Sequence, residues 1–310
     1  MDKLRFGTTL ARVLHKAAYA PIISQRSLHL SKWRRAGESA DKTDIVLRHD
    51  LEFGVTILTL NNPAKRNALS SEMMGNLGNA LIAAYKTPET KVIIVKAEGK
   101  VFSAGHDLRQ LVAENGRDMH RAIFEQCSEM MKLVQDLPIP VIAQVNGLAT
   151  AAGCQLVASC DIAIASENSR FATPGVHVGL FCSTPAVAVG RSVPRKVAME
   201  MLFTGEPISA QEALLYGLVS RVTPEDKLED TTLSIAAKIA SKSRPVISMG
   251  KATFNKQMTM DRDGAYCVTT DTMVENTSLV DCQEGINAFI EKREPSWTNK
   301  YQQVVNKPKE

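Results

Sequence analysis

Two short apolar, β-branched runs, at 91–97 and 141–145, are each followed by a turn of small residues and then by a helical pattern. An apolar run of that length between turn signals reads as a strand buried on both faces. Strands of that kind belong to parallel sheets covered by helices. With helical patterns between them, such strands argue for an α/β core.

The rest of the chain agrees. Residues 45–60 read as two strands around a turn at 50–54, broken by Asn61-Asn62-Pro63. Ser70 caps a predicted helix that runs to Lys86 and is ended by Pro88. A loop is expected at 99–105, and helices at 107–114 and 116–137. The second of these carries Met119, Ile123, Cys127, Met130, Met131 and Val134 at helical spacing, a stripe for the core. Asn146-Gly147 turns the chain into a small-residue helix at 150–159, and strands follow at 161–166 and 170–173. From Pro185 onward the pattern is helical, at 185–192, 194–203, 209–216, 225–242, 246–257, 263–280 and 283–293. Alternating strands and helices, then helices alone, describe an α/β core with a helical C-terminal part.

Charge is unevenly placed. Residues 1–37 hold eight Lys or Arg against one acid, Asp2, a balance of +7, so the rest of this +4 chain is −3. The body therefore offers no basic face for nucleic acid. The leader, basic and poor in acids, reads as a mitochondrial transit peptide with an amphipathic stretch over 4–20, or else as a disordered basic arm. Arg26, Leu28 and Ser31, ahead of Ala36, resemble a matrix cleavage signal. No run is long enough for a membrane span. Cys127, Cys154, Cys160, Cys182, Cys267 and Cys282 are scattered without a C-x-x-C and read as buried free thiols.

The chemistry sits at two loop-to-helix junctions. One is Phe102-Ser103-Ala104-Gly105-His106-Asp107-Leu108; the other runs from Val145-Asn146-Gly147 through Ala151-Ala152-Gly153-Cys154-Gln155. Small residues let a ligand approach the main chain closely. Helix N-termini offer free N–H donors and the positive end of a dipole. Two such ends aimed at one point make an oxyanion hole; the same residues also suit two tightly packed turns. There is no G-x-S-x-G elbow, no metal-ligand spacing and no phosphate-binding glycine loop.

With Asn67-Ala68-Leu69-Ser70, Ile208-Ser209-Ala210-Gln211-Glu212-Ala213, Gly217-Leu218-Val219 and Glu284-Gly285-Ile286-Asn287-Ala288-Phe289, these junctions resemble, in order over 45–297, the signature of the crotonase (enoyl-CoA hydratase/isomerase) superfamily. The resemblance implies a ClpP-like spiral fold of ββα units with a helical C-terminal trimerisation region. It divides the chain into a leader at 1–37, a core at 45–240, a helical region at 241–297 and a tail at 298–310. It implies a coenzyme A thioester as ligand, with no separate cofactor or metal. The thioester oxygen would lie between the backbone N–H groups of Ala104 and Ala152, with Gly105, His106 and Asp107 along the ligand. The family usually has Gly where Ala152 stands.

Two departures follow from the same resemblance. The family's hydratases use two glutamates, and these positions are Gln155 and Gly175 here. Glutamine cannot accept a proton at neutral pH, and glycine has no side chain. General acid–base help is worth about 10²–10⁴-fold per group, so ordinary hydration should be weak. His106 and His177 are the substitute proton-transfer candidates, with a place at the pocket rim as the plainer role for His106. Asp107 should cap the following helix, and Asp161 should anchor a turn. Three functions remain open: an acyl-CoA enzyme of lipid metabolism with altered or weak hydratase/isomerase chemistry, a non-catalytic acyl-CoA binding or sensing protein, and a structural subunit. A homotrimer or hexamer in the mitochondrial matrix is expected, with no nucleic acid and no membrane span.

Overall fold

The computed structural model describes residues 44–304. The leader at 1–37 lies outside the described residues, as do positions 305–310 of the tail.

The first strands, β1 (Val46–Leu51) and β2 (Val55–Leu60), form an antiparallel hairpin. Helix α1 (Ser71–Lys86) starts where Ser70 Oγ accepts from the Met73 N–H at 3.2 Å. Three ββα units follow. They are β3 (Val92–Ala97), β4 (Val101–Ser103) and α2 (Gly116–Asp136); β5 (Val141–Val145), β6 (Leu148–Thr150) and α3 (Ala152–Ser159); and β7 (Ile162–Ser166), β8 (Arg170–Ala172) and α4 (Pro185–Ser192). In each unit the first strand joins one sheet and the second strand joins another. The chain continues through α5 (Arg195–Thr204), β9 (Ile208–Ser209), α6 (Ala210–Tyr216) and β10 (Arg221–Thr223). It closes with α7 (Leu228–Ala240), α8 (Arg244–Gln257), α9 (Arg262–Thr277) and α10 (Val280–Glu291).

The larger sheet has the order β1-β2-β3-β5-β7-β10 and is parallel apart from the first hairpin. The smaller sheet has the order β4-β6-β8-β9, parallel except at β8–β9. Helix α7 lays Leu228, Ala236 and Ala240 against Val55, Ile57, Val92, Ile94, Ile142 and Ile164 of the larger sheet. The alternate residues Leu58, Leu60, Ile93 and Val95 are buried as well, so both faces are covered, as an apolar run without alternation requires.

Several sequence expectations are corrected. The loop expected at 99–105 contains β4, and β6 precedes α3, which begins at Ala152 rather than at 150. The helix expected at 107–114 is two 3-10 turns, Leu108–Gln110 and Ala113–Asn115. The helical C-terminal half also contains β9 and β10. In α2 the stripe is buried from Ile123 to Val134, but Met119 is 51% exposed. Among the thiols, Cys267 is exposed and Cys160 and Cys282 are half-buried.

The C-terminal helices are fastened by buried charge. Lys251 of α8 donates to the Val134 and Ile139 carbonyls at 3.1 and 3.2 Å and to Asp161 Oδ2 at 2.7 Å. Asp161 also accepts from the Val141 N–H at 2.7 Å, so it anchors the start of β5 rather than a turn. Asp281 of α10 accepts from Ser243 Oγ and from the Thr298 and Asn299 main chain.

Candidate functional site

Strands β4 and β6 are parallel neighbours in the smaller sheet, with Ser103 opposite Ala149. Their C-terminal ends therefore deliver the two small-residue junctions to one place, the end of an α/β sheet at which ligands bind. Glycine is required where the junctions meet. A Cβ on Gly105, whose φ is 81°, would lie 2.8 Å from Ala151 Cβ, 2.9 Å from the Thr150 carbonyl and 3.2 Å from the Ala152 nitrogen. A Cβ on Gly153 would lie 2.6 Å from the Ser103 carbonyl.

Two polar side chains fix the first junction. Asn67, buried at a φ of 49°, accepts from the Asn62 N–H at 2.8 Å and donates to the Glu98 and Val101 carbonyls at 2.9 and 2.8 Å. Asparagine tolerates this left-handed backbone better than most residues. Ser103 Oγ donates to the Asn67 carbonyl at 2.8 Å and accepts from the Gly105 N–H at 3.2 Å. Sequence reading quoted both residues as part of a motif but assigned neither a positioning role.

The main-chain donors differ from expectation at one position. The Ala104 N–H is spent on the Arg66 carbonyl at 3.0 Å, so it is not available to a ligand. The next N–H groups settle the matter: Gly105 donates to Ser103, whereas His106 has no main-chain or side-chain acceptor among the described residues. At the second junction Ala151 donates to the Ala172 carbonyl at 2.9 Å. Ala152 opens α3, and its N–H has no acceptor among the described residues. The pair of free donors is thus His106 and Ala152, not Ala104 and Ala152.

The side chains around this point are mostly committed. Asp107 accepts from Arg109 Nε and Nη2 at 2.9 and 2.7 Å and from the Arg109 N–H at 3.1 Å, so it caps a 3-10 turn. The Arg109 guanidinium holds its carboxyl below the usual range. The His106 ring stands perpendicular to that of Phe124 of α2, with centroids 5.3 Å apart. Burial lowers its pKa, opposed by the Leu69 carbonyl, which is not in hydrogen-bonding position. His106 and Asp107 line a pocket of about 290 Å³ with Lys65, Arg66 and Arg109.

Gln155 and Gly175, where the resemblance would put the family's two glutamates, differ in kind. Gln155 on α3 is buried, with its carboxamide oxygen 4.0 Å from the Cys127 thiol of α2. Gly175 is not an empty slot. A Cβ there would lie 2.0 Å from the Leu180 carbonyl and 2.8 Å from Cys182 Sγ. The Leu180 N–H donates to the Gly175 carbonyl at 2.9 Å, which folds this loop back onto the glycine. The other proton-transfer candidate, His177, donates from Nε2 to the Thr204 carbonyl at 2.8 Å, which ties its ring to the C-terminal end of α5. Among the described residues no cluster of His, Cys, Asp or Glu could hold a metal, and no helix is long and apolar enough to cross a membrane.

Comparison with known proteins agrees with the geometry. The family model for enoyl-CoA hydratase/isomerase matches residues 50–300. The mitochondrial enoyl-CoA hydratase domain-containing protein 3 of Danio rerio is 56% identical over 261 residues, 84% of this chain and 90% of that protein. The crystal structure of human enoyl Coenzyme A hydratase domain-containing protein 3 superposes with a TM-score of 0.81 at 58% identity, over 82% of this chain and all of that one. An enoyl-CoA hydratase structure from Mycobacterium smegmatis gives a TM-score of 0.80 at 45% identity, over 82% of this chain and 99% of that one.

Proposed function

Because the chain belongs to the enoyl-CoA hydratase/isomerase (crotonase) family, we propose that it binds acyl-CoA thioesters and hydrates them weakly or not at all. The observation that supports this reading is the parallel pairing of β4 with β6, which brings together the two junctions that carry the unpaired His106 and Ala152 N–H groups. A thioester oxygen would accept from His106 and Ala152, with Gly105 passing the ligand close to the main chain. The N-terminus of α3 adds a positive dipole end at the same point. Removing one such donor in other enzymes costs about 2.7–4 kcal/mol, so the pair would dominate recognition of the carbonyl.

Hydration also needs a base to activate water and an acid to protonate carbon. Gln155 can hold a water but cannot take its proton. Position 175 has no room for a carboxylate while Leu180 and Cys182 lie against it. That crowding favours the non-catalytic binding or sensing role as a second reading beside an enzyme of altered chemistry. A purely structural role leaves the two free donors unexplained. The chain would act in mitochondrial lipid metabolism, reach the matrix through the leader at 1–37, need no separate cofactor, and assemble as a trimer or hexamer through the helices of 241–297. Exposed Tyr266, Phe289 and Ile290 on α9 and α10 favour such an assembly.

Calorimetric titration with butyryl-CoA and with free coenzyme A tests the reading. The thioester should bind more tightly than coenzyme A, because only the thioester carries the carbonyl. Equal affinity would remove the oxyanion role of His106 and Ala152; no binding of either would remove the acyl-CoA reading.

A further inference from the structure

Ala151 is the single residue between β6 and α3, and its backbone angles are unusual. Its φ is 50° and its ψ is −119°. Arg66 and Lys292 also have positive φ, but their ψ of 37° and 42° places them in the small left-handed region open to residues with side chains. Ala151 lies outside that region, close to the first central position of a type II′ turn, where glycine is preferred. Such a conformation persists only where its surroundings hold it, and such positions cluster at ligand-binding sites. Hydrogen bonds on both sides hold this one. The Ala151 N–H donates to the Ala172 carbonyl of β8 at 2.9 Å, and the Ala151 carbonyl accepts from the Gln155 N–H of α3 at 3.0 Å.

These angles bear directly on the two free donors. The peptide plane that carries the Ala152 N–H is turned by the ψ of Ala151, so the unusual value aims that N–H. The methyl group acts on the other donor. A Cβ on Gly105 would come within 2.8 Å of the Ala151 Cβ, so the methyl stands against the face of Gly105 that has no side chain. Gly105 directly precedes His106, as Ala151 precedes Ala152. The residues ahead of the two free donors therefore meet across the gap between the junctions. Glycine at 151 would reach the same angles without strain. It would also leave glycine facing glycine, with no side chain to set the separation of the donors. An oxyanion hole works through donors that are held in place beforehand.

We propose that Ala151 is a positioning residue whose methyl group, kept in a strained conformation, sets the spacing and aim of the His106 and Ala152 N–H groups on a thioester oxygen. This role rests on the acyl-CoA reading of the site. Calorimetric titration of the full chain with butyryl-CoA and with free coenzyme A tests it, in wild type, Ala151→Gly and Ala151→Ser, beside urea unfolding of each protein. The readout is the affinity ratio of thioester to coenzyme A within each protein. Ala151→Gly should lower that ratio about tenfold, the worth of one hydrogen bond, although its urea midpoint rises. Ala151→Ser keeps a Cβ against Gly105 and should retain most of the ratio. A residue with only a structural role would not lose the thioester's advantage while the fold gains stability. An unchanged or higher ratio in Ala151→Gly overturns the proposal. So does a lower ratio with an unchanged or lower midpoint, or an equal fall of the ratio in Ala151→Ser. In each of these cases a wild-type preference for butyryl-CoA leaves the acyl-CoA reading standing. No such preference in wild type removes the oxyanion role of the two N–H groups and, with it, this role of Ala151.

Discussion

Ala151 has φ 50° and ψ −119°, a backbone conformation that suits glycine and strains a residue with a Cβ. Its methyl group lies where the two junctions touch. Ala151→Gly should therefore stabilise the protein by about 1 kcal/mol, read as a higher urea midpoint; an unchanged midpoint would show that the strain is not there. Gly175→Ala should act the other way. Its methyl would press on the Leu180 carbonyl and Cys182 Sγ, costing about 1–3 kcal/mol in the same measurement. These residues show how far the sequence could be read. That Gly175 brings no carboxylate follows from its identity alone. That Leu180 and Cys182 fill the space follows from the folding-back of a loop, which no local pattern announces. Asn67 is similar: its partners Glu98 and Val101 lie 31 and 34 residues further on, so its knitting role appears only in three dimensions.

The same divide holds for elements. Long periodic segments such as α1 and α2 were legible to within a residue or two, because their apolar spacing and caps are local. Strands β4 and β6 were not, although they align the site. Each is three residues long and exists through pairing with the other, 47 positions away in the register of Val101 with Leu148. The helix expected at 107–114 does not form: Leu108 and Val112 are exposed, so no apolar face is buried there, and Asp107 holds a 3-10 turn instead. The C-terminal helices carry a pH dependence through Asp281. Burial pushes its carboxyl pKa up, but hydrogen bonds from Ser243, Thr298 and Asn299 outweigh burial and hold it below 3.8. Its contribution is therefore fully present above the unfolded value near 3.8 and is lost as pH falls through the lower folded value. Asp281→Asn should cost about 1–3 kcal/mol at neutral pH and should show a shallower loss of Tm below about pH 4 than wild type. Equal acid slopes in the two proteins would assign the acid sensitivity elsewhere.

For the whole molecule, the ββα repetition explains why one sequence feature constrained so much. Each buried strand feeds the larger sheet, and the short strand after it feeds the smaller one, so the small-residue turns come to lie together. Fold class and the two junctions were therefore readable in the chain. The identity of the donors was not, because choosing His106 over Ala104 required knowing that the Arg66 carbonyl already holds the Ala104 N–H. The central claim is a thioester site kept without the means to hydrate. Calorimetric titration with crotonyl-CoA tests both halves, since binding gives a finite heat that saturates and hydration gives continuing heat after each injection. A site of this kind should give saturable binding heat with little or no sustained reaction heat. Sustained heat at the rate of an ordinary hydratase, or no binding heat at all, would contradict it.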